Sequence, residues 1–221
     1  MTQIVQFLLT FEPSTAAESV DRLNGLVSTL APKAGATSAH VFATVPGATR
    51  GTAHADLIAE APFDAVLEFR GEHVSVEEVV SELTKTFALD LASSAVLSGI
   101  EHAFVAGEDA YRLQVFVAAS TALTHDEFID HWLNTHGNLI RPTRTGPPYK
   151  QFHADPIDSG AASREFGSGI RHLAGAAVAG YPDVESYQRA LGNRERMAPI
   201  IEDELRFIDH ANSVVGFYRA L

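Results

Sequence analysis

Phe128, Trp132 and His136 recur at intervals of four in this 221-residue chain. On a helix that spacing places all three on one face, and Ile129 and Leu133 widen the face into an apolar stripe. Gly137 follows as an expected helix stop, so His136 should project from the buried side at a helix C-terminus. The helix dipole there favours the imidazolium, whereas burial favours the neutral ring, and the balance would bring its pKa near neutrality. A half-sheltered imidazole of this kind is a candidate general acid or base. The plainer reading is a histidine that caps the helix by donating to its last carbonyls.

A second group lies on the segment Tyr149-Lys-Gln-Phe-His153, where Tyr149, Gln151 and His153 would share one face of a strand. Three polar groups on one buried face need partners, which a wetted cavity would supply and solvent at a barrel rim would supply equally. His172, on the next strand, would complete a cluster with His153 and His136. Three convergent histidines would also suit zinc or iron. Against a metal, there is no His-Glu-x-x-His element, and His131 and His136 at i, i+5 would leave an α-helix on different faces. His125 and His131 read as solvated. Arg141 and Arg144, just beyond the helix, are candidates to hold a substrate carboxylate, or are ordinary surface arginines. Gly167-Ser-Gly169 lacks the strand-to-helix setting of a phosphate loop and reads as a turn.

Composition narrows the function class. Ten histidines is a high count, while the absence of cysteine removes disulfides, thiolate metal sites and thiol nucleophiles. A net charge of −12, with 16 scattered Lys and Arg, disfavours nucleic acid and anionic membrane as partners. No signal-like start and no apolar run long enough to span a bilayer is present, so a cytoplasmic address is expected.

The elements that must position these residues repeat. In the first half, strands are expected over Ile4–Phe11, Ser38–Val45, Ala65–Phe69 and Glu101–Ala106. Helices open at the capping boxes Thr15-x-x-Glu18 and Ser75-x-x-Glu78. The second half begins again with a strand at Leu113–Ala119 and a helix capped by Thr124-x-x-Glu127. Strands at Tyr149–His153 and His172–Ala179 follow, then helices over Val184–Leu191 and Met197–Ile208 and a last strand at Ser213–Arg219. Each half thus runs βαββαβ, the ferredoxin-like order, whose sheet carries helices on one face only. Packing the two bare faces together buries them. The expected fold is α+β: tandem ferredoxin-like repeats, 1–108 and 109–221, forming a single-chain dimeric-type α+β barrel. Two separate domains are the alternative.

Phe128-x-x-His-Trp132 followed by His136-Gly137-Asn-Leu139, with Tyr149-x-Gln-x-His153 and Phe207-Ile-Asp-His210, resembles the EthD signature of the dimeric α+β barrel superfamily. The resemblance covers about Tyr111 to Tyr218. Where the family often has an acidic residue on the third strand, Val178 stands here. The first half lacks the Phe-x-x-x-Trp-x-x-x-His element and reads as a degenerate copy that completes the barrel. The resemblance implies a pocket between sheet and helices, with histidine or tyrosine handling protons. It points to a cofactor-independent lyase, isomerase or cyclase acting on an aromatic, polyketide-like or lactone small molecule. His136, Tyr149 and His153 would be catalytic, and Phe128, Trp132, Gln151, His172 and Arg141 would bind substrate. No cofactor or metal is expected. A non-catalytic carrier and a cofactor-free monooxygenase are the alternatives, and exposed strand edges would allow a homodimer.

Overall fold

The computed structural model describes residues 2–50, 52, 54–107, 110–140, 147–169 and 172–221. Arg141 and Arg144 lie outside the described residues. The first half contains β1 (Gln3–Leu9), α1 (Ala16–Lys33), β2 (Ser38–Thr44), a 3-10 turn (His54–Asp56), β3 (Ala59–Glu60), β4 (Ala65–Gly71), α2 (Val76–Thr86) and β5 (Ala95–Val105). The second contains β6 (Tyr111–Ala118), α3 (His125–Asp130), a π-helical turn (His131–His136), α4 (Gly137–Ile140), β7 (Tyr149–Ala154), α5 (Pro156–Phe166), β8 (Leu173–Tyr181), α6 (Val184–Gly192), α7 (Arg194–Phe207) and β9 (Val214–Ala220).

The strand order is β2-β4-β1-β5-β7-β8-β6-β9, and β9 pairs back to β2, so eight strands close into a barrel. Each half contributes four strands in the same internal order. The joins are antiparallel: β5 to β7 over six residue pairs and β9 to β2 over three. Short β3, running parallel to β9, extends the weaker seam. Edge-to-edge dimerisation through the eight barrel strands therefore has no free edge along the closed circuit.

Alternation along each strand sorts residues between two environments. Val5, Phe7 and Leu9 of β1 face the helices, while Ile4, Gln6 and Leu8 face the lumen. On β6, Leu113, Val115 and Val117 face the helices, while Gln114 and Phe116 face inward. The outer faces hold one core per half, and the lumen holds a third, built from Ile4, Leu8, Val66, Leu97, Phe116, Phe152 and Tyr218 among others.

The N-termini of the helices test the capping signals. Thr124 and Glu127 form the full capping box, and Ser75 accepts from the Glu78 amide at the limiting distance of 3.5 Å. Thr15 makes no such bond; its hydroxyl turns back to the Glu12 carbonyl. Helix α5 was not expected from the sequence, because its serines, glycine and alanines give a weak apolar contrast. Its ends are nevertheless well specified. Asp155 caps the amides of Ile157 and Asp158, Pro156 occupies the first turn, and Gly167 terminates it in the left-handed region at φ 74°.

Although α5 belongs to the second half in sequence, it packs on the first half's sheet. Phe166 and Ala162 join the core of β1, α1 and α2, Phe166 meets Phe7 edge-on at 5.5 Å, and Ser159 bonds both the amide and the carbonyl of Ser98. Phe166→Ala should therefore cost about 3–5 kcal/mol, the usual range for emptying a phenylalanine site in a packed core. Urea unfolding measures this, and a loss below about 1 kcal/mol would mean that α5 does not seal the first half.

Candidate active site

The outer face of the second sheet is not filled as the first is. Ala177 and Ala179 on β8 replace the bulky side chains found opposite, and a cavity of about 320 Å³ remains between β6, β7, β8 and the covering helices. Its wall is mainly apolar, including Val115, Trp132, Leu139, Ile140, Met197 and Ile200. Polar side chains interrupt it, among them His54, His136, Tyr149, Tyr181 and Glu204. A site of this size with a few polar groups in an apolar wall has the character of a small-molecule pocket.

His136 is buried, at 3% exposure, and lines this cavity. Its Nδ1 donates to Asp203 Oδ2 at 3.0 Å, leaving Nε2 as its free ring nitrogen. The other carboxylate oxygen of Asp203 accepts from His131 Nε2 at 3.1 Å. His131 is thus not a solvated residue of the helix face, as its spacing suggested. The turn from His131 to His136 is π-helical, and its wider winding brings residues five apart onto the same side. Both rings also pack on Phe207, at 4.8 and 5.1 Å between centroids.

Gly137 does not stop the helix. It has helical dihedrals and leads directly into α4; a Cβ there would come within 2.3 Å of the Phe104 ring. The need for glycine is close packing against β5. The dipole argument is likewise secondary: burial is the largest influence on His136 and holds it below its ordinary 6.5, although Glu204 and Asp203 pull upward. Burial thus favours the neutral ring.

Glu204, the next residue on α7, sits 3.3 Å from His54 Nε2 and 3.7 Å from His210 Nε2. Burial favours its protonation, but these histidines and His136 hold it well below the usual carboxylate range. His54 comes from the first half, which therefore supplies part of the wall. Asp203, Glu204 and His54 are the site residues that sequence reasoning missed. In Glu202-Asp203-Glu204 the two buried carboxylates are disguised as an ordinary acidic helix surface.

The strand group divides. Tyr149 lines the cavity, and burial pushes its phenol above the ordinary value, so it remains a proton donor. Gln151 is fully buried and lies outside the lining. It donates to the Trp132 carbonyl at 3.0 Å and to the Tyr149 hydroxyl at 3.4 Å, and accepts from His153 at 2.9 Å. His153 also lies off the wall, stacked on Trp132 at 4.7 Å. Burial, aided by His102 and His125, pushes it down to about 3. Phe128 packs in the core between Trp132 and Phe207. His172 is exposed and bonds the Asn212 carbonyl, so it does not join His136 and His153. The expected three-histidine cluster is not assembled, and among the described residues no group of three or more His, Cys, Asp or Glu is arranged to hold a metal.

Trp132 reaches this position because β8 bends at Gly175. Its φ is 151°, the register with β6 shifts beside it, and a Cβ there would meet the Trp132 ring at 3.1 Å and the Phe152 carbonyl at 2.1 Å. The buried polar strand group thus supports the wall from behind.

Neutral burial of His153 has a measurable consequence. Its folded-state pKa of about 3 lies below the unfolded value near 6.5, so the unfolded chain binds the extra proton between these limits. Stability should fall as pH drops through that window, by up to about 1.4 kcal/mol per pH unit from this group. His153→Asn should flatten the decline in urea unfolding between pH 6.5 and 4; an unchanged slope would show that the ring titrates freely.

Comparison with known proteins bears on the half that holds this cavity. Residues 120–211 match the family model of the EthD domain, while no curated protein sequence matches the chain. An anthrone oxidase-like protein superposes with a TM-score of 0.58 at 9% identity, covering 100% of this chain and 91% of that one. A putative monooxygenase from Lactobacillus acidophilus NCFM gives 0.50 at 11% identity, over 99% and 93%. A mutant chlorite dismutase from Candidatus Nitrospira defluvii gives 0.50 at 12%, over 98% and 90%. At such identities the likeness is one of fold. Residues 120–211 are thus similar to the EthD domain, and the chain folds as a single-chain barrel of the dimeric α+β type.

Proposed function

We propose that this chain is a cofactor-independent enzyme in which His136 is the general base toward an apolar, ring-bearing small molecule held in the 320 Å³ cavity. The observation that carries this reading is the His136–Asp203 pair at the wall of a largely apolar pocket. A buried imidazole that only filled space would not need a buried carboxylate on its far nitrogen. Asp203 accepts from Nδ1–H, and thereby presents the Nε2 lone pair and stabilises the imidazolium formed when Nε2 takes a proton. Tyr149, kept protonated by burial, is placed on the same wall to donate toward an oxygen on which negative charge develops. His153 and Gln151 hold Tyr149 and Trp132 in place.

Removal of a proton from carbon leaves a stabilised carbanion. Reprotonation elsewhere gives isomerisation, loss of a leaving group gives elimination, and attack on an internal carbonyl gives ring closure. Oxygenation of the same carbanion by O₂ is the second reading, favoured by the names of the anthrone oxidase-like and monooxygenase fold neighbours.

Anthrone is a suitable first probe, since it has an acidic ring C–H and an apolar three-ring body. Incubated anaerobically in D₂O, it should exchange that hydrogen faster with the protein than without, as read by mass spectrometry. His136→Ala should slow the exchange about 10²-fold or more. The rate should rise with pH to a plateau, with its acid limb below the ordinary 6.5 of histidine, because the neutral ring is the active form. Asp203→Asn should lower the rate while leaving anthrone binding intact. Binding without exchange would mean a carrier, and exchange unaffected by His136→Ala would remove this residue from the mechanism. Product formed only when O₂ is readmitted would select the oxygenase reading over the isomerase group.

A further inference from the structure

The lumen has its own polar end, apart from the cavity beneath the helices. Where β5, β8 and β9 end and β6 and β7 begin, a second hollow of about 110 Å³ opens, lined by His40, Phe42, Glu68, Arg70, Glu101, Arg112 and Lys150. That is room for several waters or a small organic molecule. Glu68 is buried and ionised at about 2: burial alone would raise it, but Arg112 and Arg70 more than compensate. Arg70 binds Glu101 through both terminal nitrogens at 3.1 and 2.9 Å, and Lys150 approaches Glu101 at 3.5 Å.

Arg112 is the member of this group left unsatisfied. It is only 8% exposed, and its guanidinium lies 3.3 Å from the centre of the Phe42 ring. Its Nη1 reaches Glu68 at 3.4 Å, while Nε and Nη2 are buried without a hydrogen-bond partner. These two nitrogens form one edge of the guanidinium, the edge that matches the two oxygens of a carboxylate. A further orphaned donor is close in the sheet: Tyr218, with its hydroxyl unbonded, is the cross-strand partner of Arg112. Buried donors left unpaired are costly, and a carboxylate would satisfy both nitrogens of that edge.

We propose that this end of the barrel lumen is a second binding site, taking a small carboxylate against the unpaired Nε–Nη2 edge of Arg112 with Phe42 as the platform beneath. The site is separate from the cavity of His136 and does not depend on the reaction assigned to it. The carboxylate enters past Lys150 and His40 and takes up the two unpaired donors once a small shift of the guanidinium over the ring brings them into the hollow.

Sodium acetate is the probe, titrated calorimetrically into the full chain at pH 7 against sodium chloride of equal ionic strength. One acetate should bind per chain beyond the chloride response. Arg112→Lys keeps a cation for Glu68 but lacks the paired edge, and should weaken acetate about tenfold or more with an unchanged circular dichroism spectrum. His136→Ala should bind acetate as the parent does. Should Arg112→Lys not fold, crystals of the parent grown in acetate decide: planar density on the Arg112 edge is expected. Acetate heat no greater than chloride, binding that survives Arg112→Lys, or water alone on that edge would overturn the proposal.

Discussion

A buried carboxylate with an imidazole on each oxygen organises the second half of this molecule. Asp203 is 4% exposed, and an ion so enclosed is tolerated only if its lone pairs are met. His131 and His136 meet them, and to do so they must emerge from the same side of one helix. An α-helical turn would separate residues five apart, so the helix winds more widely over this stretch. That single irregularity fixes which nitrogen of His136 is protonated, and hence which nitrogen is open to the cavity. It also places Trp132 where Gln151 can bond its carbonyl and His153 can stack on its ring.

The barrel is built from two copies of one plan whose outer faces have opposite fates. In the first, Phe7, Phe69, Phe11, Phe87 and Phe166 fill the space between sheet and helices, and α5 is borrowed from the second half to complete the seal. In the second, alanines on β8 leave the sheet low, and the covering helices bridge a hollow. The first half still reaches the site, because its long excursion between β2 and β4 carries His54 across to Glu204. The half whose own outer face is filled thus supplies part of its partner's wall.

Charge inside the barrel has a comparable logic. Glu68 comes from the first half and Arg112 from the second, and Gln6 bonds Gln114 between the same two halves. These pairs cross the lumen and tie the halves in one register, while the apolar layer deeper in holds them together. The polar layer is incompletely satisfied among its own members, unlike the Asp203 cluster, in which both oxygens are bonded.

The strands, their alternation and the βαββαβ order repeated twice were legible in the sequence, because each depends on neighbours two to four residues apart. So were the Thr124 cap and the placing of His136 on a buried apolar face. Helix α5 was harder, since its signal lies in Asp155, Pro156 and Gly167 at its ends and not in periodicity. The site's chemistry was not legible. His136 meets Asp203 across 67 residues and His54 meets Glu204 across 150, and no local pattern marks which acids of α7 turn inward. Nor does sequence spacing announce the π-helical turn, so His131 read as solvated and His172 as a neighbour. Local periodicity set the elements and their buried faces; only the closed barrel decided which charges share the interior, because burial creates their need for partners and the fold chooses them.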